Sequence, residues 1–293
     1  MAGRFGAVIT AMVTPFGDDL SLDTGRAQEV ARWLLGHGSD GLVVAGTTGE
    51  SPTLTDEEKL DLFGAVIEAA EGRPVIANTG TYDTAHSVHL TEVAEKAGAT
   101  AILAVGPYYN KPPQTGLYEH FKAIAEATSL PVILYNIPGR TGVRIAHETL
   151  LRLAEIDNIV GVKDATGDVV GAAELVAAAP SDFELISGED ALTFPLACLG
   201  GTGVISVTSH VAGERMRHML DLVSSGDVAS ARKINEELIP LYRALFLTTS
   251  PIPVKAAMGL LGQPVGPPRL PLVPATDDEV ARIGKAMEDA GAL

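Results

Sequence analysis

Short apolar runs alternate with helix-forming stretches along most of this chain, and the turns between them are brief. The apolar runs fall near residues 6–12, 41–45, 74–77, 100–105, 131–135, 158–164, 183–187 and 203–207. Helical patterns follow over 24–35, from Thr55 onward, and over 85–96, 116–127, 147–154, 169–178, 191–199 and 211–224. Thr55 with Glu58 spells a capping box that starts its helix, and Thr276 with Glu279 spells another. Strands that alternate with helices call for a parallel sheet covered on both sides by those helices. Eight such units fit a closed (β/α)8 TIM barrel better than an open doubly wound sheet. No strand-linked G-x-G-x-x-G favours the open alternative. The expected organisation is a catalytic barrel over 1–226 and a helical extension over 227–293. The extension reads as helices near 231–246, 254–260 and after Thr276, and is too short to form a core of its own.

Composition narrows the function. The formal charge of −16 disfavours nucleic acid and anionic membrane surfaces as partners. The chain has one cysteine, Cys198, so no intrachain disulfide forms and no cysteine cluster suggests a metal site. Its apolar surroundings predict a small core residue. The first residues lack the apolar run of a signal peptide, and no later run is long enough to span a bilayer. A soluble cytoplasmic protein is the expectation.

If the fold is a barrel, the C-terminal strand ends converge on one site. Asn158–Ile159–Val160–Gly161–Val162–Lys163–Asp164 is a buried strand that ends on a lysine. Strict alternation puts Val160 and Val162 on one face and Ile159, Gly161 and Lys163 on the other. Either Lys163 reaches water, or it is a desolvated, uncharged amine able to form a Schiff base with a carbonyl. Tyr135 ends the preceding strand, so its phenol can meet that amine and pass protons to and from the reacting atoms. Thr47 and a tyrosine of the Tyr108–Tyr109 pair can complete the relay, although each also suits a structural role. Arg140, in the loop after the fifth strand, carries a planar fork suited to a substrate carboxylate. Leu199–Gly200–Gly201–Thr202–Gly203 lacks the lysine of a P-loop and reads as a tight turn. His86 and His89 share a helix face without further ligands and read as surface or interface residues.

These segments are also motifs. Gly46–Thr47–Thr48–Gly49–Glu50–Ser51, Pro107–Tyr108–Tyr109–Asn110–Lys111–Pro112, Tyr135–Asn136–Ile137–Pro138–Gly139–Arg140–Thr141–Gly142 and Gly161–Val162–Lys163–Asp164 stand in order along the chain. Ser187–Gly188–Glu189–Asp190 and Gly203–Val204–Ile205–Ser206–Val207 follow them. With these the chain resembles the dihydrodipicolinate synthases, within the pyruvate-dependent lyase and aldolase superfamily, from Gly6 to about Leu260. The Arg–Thr–Gly after the Tyr–Asn–Ile–Pro run is similar to the synthase branch rather than to the lyases that cleave sugar acids such as N-acetylneuraminate. An intact Lys163 and Tyr135 argue against a catalytically silent barrel used as a sensor.

The resemblance implies condensation of pyruvate with L-aspartate 4-semialdehyde to 4-hydroxy-tetrahydrodipicolinate, on the way to lysine and diaminopimelate, without metal or organic cofactor. It implies Lys163 as Schiff-base residue, Tyr135 as general acid and base, Thr47 as relay, and Tyr109 completing that relay from a neighbouring subunit. Thr48 would hold the pyruvate carboxylate, Arg140 that of the second substrate, and Gly188 and Ile205 would line the pyruvate pocket. It further implies a cytoplasmic homotetramer built as a dimer of dimers. A lysine feedback site would map to Ser51, Pro52, Asp56, Lys59, Tyr82, His86 and Tyr108. Here Asp56, Lys59, Tyr82 and His86 depart from the pattern of well-inhibited members, so feedback is expected to be weak or absent.

Overall fold

A computed structural model describes residues 2–293. Eight parallel strands close into one barrel in chain order. They are β1 (Val8–Ala11), β2 (Gly41–Val44), β3 (Val75–Asn78), β4 (Ala101–Val105), β5 (Val132–Asn136), β6 (Ile159–Asp164), β7 (Glu184–Ser187) and β8 (Gly203–Ser206). The circuit is completed where β1 pairs with β8, Ile9 opposite Ile205. Nearly every strand residue is buried, because one face fills the barrel and the other supports the helices. Ile9, Val43, Ile76, Leu103, Ile133 and Ile205 belong to the inner cluster. Val8, Leu42, Ile102, Leu134 and Val162 pack outward with helix residues such as Leu34, Phe63 and Phe121. Both predicted capping boxes form, at Thr55 with Glu58 and at Thr276 with Glu279. At the N-terminal end of the barrel, Asp40 Oδ2 accepts from the N–H groups of Ala7 and Val8 and pairs with Arg217 at 2.5 Å. No helix among the described residues is long and apolar enough to cross a membrane.

Three expectations need correction. Strict alternation fails in β6: Val160 lies in the inner cluster, while Ile159 and Val162 face the helices. The cause is a register shift, in which Val132 opposes Ile159 but Ile133 opposes Gly161, leaving Val160 as the extra residue of a bulge. Cys198 is exposed rather than in the core. It ends the helix Thr193–Cys198, whose buried side is set by Thr193 and Leu196, so a residue two places after Leu196 points away. Arg140 sits in a one-turn helix, Pro138–Thr141, rather than in a loop; Pro138 supplies the fixed φ of its first position.

The extension is woven into the barrel's surface. Leu238, Leu241 and Tyr242 of the helix Val228–Ala244, and Ile283 and Met287 of the helix Asp277–Asp289, are buried in the outer cluster.

The bulge beside Lys163 has a steric condition. A Cβ at Gly161 would stand 2.5 Å from the Glu184 carbonyl oxygen on β7, which cannot yield without moving the strand. Gly161→Ala is expected to lower stability by about 1–3 kcal/mol, the usual cost of overpacking, measured by urea unfolding. An unchanged urea midpoint would show that β6 and β7 have slack at this point.

Candidate active site

The strand ends surround a cavity of about 410 Å³ at the C-terminal mouth of the barrel. Ala11, Val43, Leu103 and Ile205 give it apolar walls, and the polar residues enter from the strand ends. Thr47 and Thr48 come from the turn after β2, Tyr135 from β5, Lys163 from β6 and Gly188 from the turn after β7. Arg140 stands exposed at the rim and lines the same space. The barrel therefore gathers seven residues singled out in the sequence: Thr47, Thr48, Tyr135, Arg140, Lys163, Gly188 and Ile205.

The centre is the β5–β6 pair. Tyr135 opposes Lys163 directly in the ladder, and both side chains point inward. The Lys163 Nζ lies 4.0 Å from the centroid of the Tyr135 ring. Only 6% of Lys163 and 5% of Tyr135 is exposed, which decides between the two readings of the lysine: its charge does not reach bulk water. Burial pushes the Lys163 pKa down from 10.5 to about 7; Asp190 resists the fall and Arg140 adds to it. Burial raises the Tyr135 phenol from 10.0 to about 12, while Arg140 and contact with the Thr47 hydroxyl hold it lower and Glu189 works against them. Near neutral pH the site thus pairs an amine whose neutral, attacking form is well populated with a phenol that keeps its proton. Gly188 leaves room for this: a Cβ there would press within 3.0 Å of Lys163 Cγ and of the Asp164 carbonyl oxygen.

Several cavity residues had no assigned role in the sequence. Asp190 follows β7, and its Oδ2 accepts from the N–H groups of Val207 and Thr208 and from the Thr208 hydroxyl. Its Oδ1 is buried without a hydrogen-bond partner, as are the Tyr242 hydroxyl and the Ser250 Oγ. All three residues line the cavity, together with Arg243 and Phe246. Asp190 stands within a quoted motif and was legible as a strand-end acid. Tyr242, Arg243, Phe246 and Ser250 carry no local signal, since only packing brings the extension over the barrel mouth.

The remaining candidates lie outside the cavity. Tyr109 is 90% exposed and holds a left-handed backbone (φ 73), so within this chain it touches neither Lys163 nor Tyr135. Ser51, Pro52 and Tyr108 line a second cavity of about 200 Å³, which shares Thr47, Ile137 and Arg140 with the first. Tyr82 packs edge-on against Tyr108 with ring centroids 5.3 Å apart. Asp56 lies 2.9 Å from His86 Nε2 and 3.7 Å from Lys59 Nζ, while His89 is exposed. Burial lowers the Lys59 pKa, and Asp56 counters that effect. The Gly200–Gly201 segment is a turn that closes on the Leu196 carbonyl.

Comparison with known proteins agrees with this geometry. The family model of the dihydrodipicolinate synthetase family matches residues 4–290. The 4-hydroxy-tetrahydrodipicolinate synthase of Moorella thermoacetica is 54% identical over 291 residues, covering 99% of this chain and 100% of that protein. A dihydrodipicolinate synthase from Cyanidioschyzon merolae, solved with lysine bound, superposes with a TM-score of 0.97 at 46% identity, over 99% of this chain and 100% of that one. The chloride-inhibited enzyme of Acinetobacter baumannii, solved with pyruvate, gives a TM-score of 0.96 at 41% identity, over 99% and 100% of the two chains. With its motifs, barrel and full-length relatives in agreement, this chain belongs to the dihydrodipicolinate synthetase family.

Proposed function

We propose that this chain condenses pyruvate with L-aspartate 4-semialdehyde, through an imine on Lys163, to give 4-hydroxy-tetrahydrodipicolinate for lysine and diaminopimelate synthesis. The observation that carries this reading is the buried Lys163 amine, held 4.0 Å over the Tyr135 ring in a mostly apolar mouth. Lys163 attacks the keto carbon, and Tyr135 gives the proton with which the hydroxyl leaves as water. The phenolate and Thr47 then take a methyl proton, and the enamine forms. Its carbon attacks the aldehyde of the second substrate. The amine of that substrate closes on the imine carbon and displaces Lys163, so one water is lost overall. Thr48 holds the pyruvate carboxylate through its hydroxyl and backbone N–H, with Gly188 and Ile205 beside the methyl group. Arg140 at the rim takes the carboxylate of the second substrate.

The relay is completed by Tyr109 of a second copy. A large side chain in a left-handed turn, almost wholly exposed, suits insertion into a neighbour rather than life in water. The assembly is a dimer of dimers working in the cytoplasm. The extension over 227–293 belongs to the same catalytic unit as the barrel over 1–226, since its residues roof the cavity.

Purified protein given both substrates, with product drained by an excess of the next reductase, is expected to turn over at ~1–10³ per second. Lys163→Ala is expected to lose at least about a thousandfold while keeping its circular dichroism, as removal of a covalent nucleophile does. Undiminished activity in that variant rules the imine out.

The Lys163 pKa sets a pH dependence. The amine attacks only when neutral, and its lowered pKa makes it neutral as pH rises through about 7. Borohydride trapping of the pyruvate imine is expected to accelerate over that interval and then level off. Asp190→Asn removes the carboxylate that favours the ammonium, so the acid limb moves to lower pH. A limb that stays in place means that Asp190 does not act on Lys163.

Lysine feedback is expected to be weak. The Asp56 carboxylate is already engaged by His86 and Lys59, leaving little negative charge for an incoming ammonium group. Calorimetric binding of lysine in the tens of micromolar range or tighter contradicts this.

A further inference from the structure

Behind the turn that carries Thr47 and Thr48 lies a buried polar network that does not line the cavity. Glu50 ends this turn in a left-handed conformation (φ 56), with its N–H donating to the Thr47 carbonyl. The Thr14 hydroxyl donates to the Gly49 carbonyl at 2.6 Å. The Glu50 carboxylate points away from the cavity to Lys255 of the helix Ile252–Leu260, with Nζ 2.6 Å from Oε1. The two side chains are 1% and 4% exposed, so this is an ion pair withdrawn from water. It is a charge contact without hydrogen-bond alignment at Oε1; the aligned hydrogen bond of Lys255 goes to the Pro267 carbonyl. Glu50 Oε2 accepts from the Arg269 N–H. Lys255 Nζ and Arg269 Cζ lie 4.5 and 4.2 Å from the centroid of the Phe16 ring. Arg269 also donates to the carbonyls of Thr53 and Leu20 and pairs with Glu58.

A buried ion pair rarely stabilises a fold better than a well-packed apolar pair of the same volume. Stability alone therefore gives weak grounds for this one. What it does is join the turn after β2 to the extension from behind, on the side opposite the substrate. We propose that Glu50 and Lys255 are positioning residues: their buried pair holds Thr47 and Thr48 at the distance and angle that pyruvate requires. This rests on the reading of Thr48 as carboxylate anchor and Thr47 as relay. Since Arg140 stands on a different turn, after β5, the pair governs pyruvate and leaves the second substrate's affinity alone.

The test uses Lys255→Met and the paired variant Glu50→Gln/Lys255→Met, which leaves no charge unpaired should the single variant fail to fold. Exchange of the pyruvate methyl protons with deuterated water, followed by NMR, reports imine and enamine formation without the second substrate. In folded variants we expect slower exchange and a higher KM for pyruvate, each by ten- to hundredfold, the order that a displacement of about 1 Å costs. The KM for L-aspartate 4-semialdehyde is expected to stay within about twofold of the parent value. Parent-like exchange and pyruvate KM in the folded paired variant overturn the positioning role. Equal rises in both KM values also overturn it, by marking a general loss of structure. Absence of exchange in the parent protein overturns the pyruvate reading itself, and the positioning role with it.

Discussion

Lys163 loses its hydration when β6 is closed between β5 and β7, and the barrel returns only part of what water supplied. Asp190 gives back some negative charge, the Tyr135 ring offers a π-face at 4.0 Å, and Arg140 works in the opposite direction. The balance leaves an amine whose charged and neutral forms lie close in free energy near neutral pH. Such a balance needs both strands in register. With Tyr135 directly opposite Lys163, the amine and the phenol lie at one height in the mouth; a slip of one residue would turn one of them into the helix layer.

Buried charge recurs in the support of the site. Asp190 is fastened through one oxygen to the turn after β8, while its second oxygen is left free in the cavity wall. Glu50 is clamped by Lys255 and Arg269 from the extension. Both acids hold turns at the barrel mouth, and neither side chain can move without uncovering a charge in an apolar setting. Rigidity here comes from groups that are costly to separate.

The alternation of strands and helices, and the residues that meet at the strand ends, were legible because both are written in local pattern. A run of apolar residues ending in Lys163, Tyr135 or Thr47–Thr48 places those side chains once the barrel is inferred. The bulge at Val160 was not legible, since it depends on how β6 meets β5 rather than on either strand alone. Cys198 was misplaced because an apolar neighbourhood in sequence says little about which side of a short helix faces water. Tyr242, Arg243, Phe246 and Ser250 reach the mouth through contacts between residues far apart in the chain, and those leave no mark on the pattern near each residue.

The partition between the two cavities is thin. Thr47, Ile137 and Arg140 face both, so a molecule seated in the outer space touches side chains that shape the inner one. Linkage makes any such influence run in both directions with equal strength. If an occupant of the outer cavity weakens pyruvate binding by some factor, pyruvate must weaken the hold of that occupant by the same factor. In that case the two compartments, divided by a common wall, answer as one thermodynamic unit, whichever is filled first.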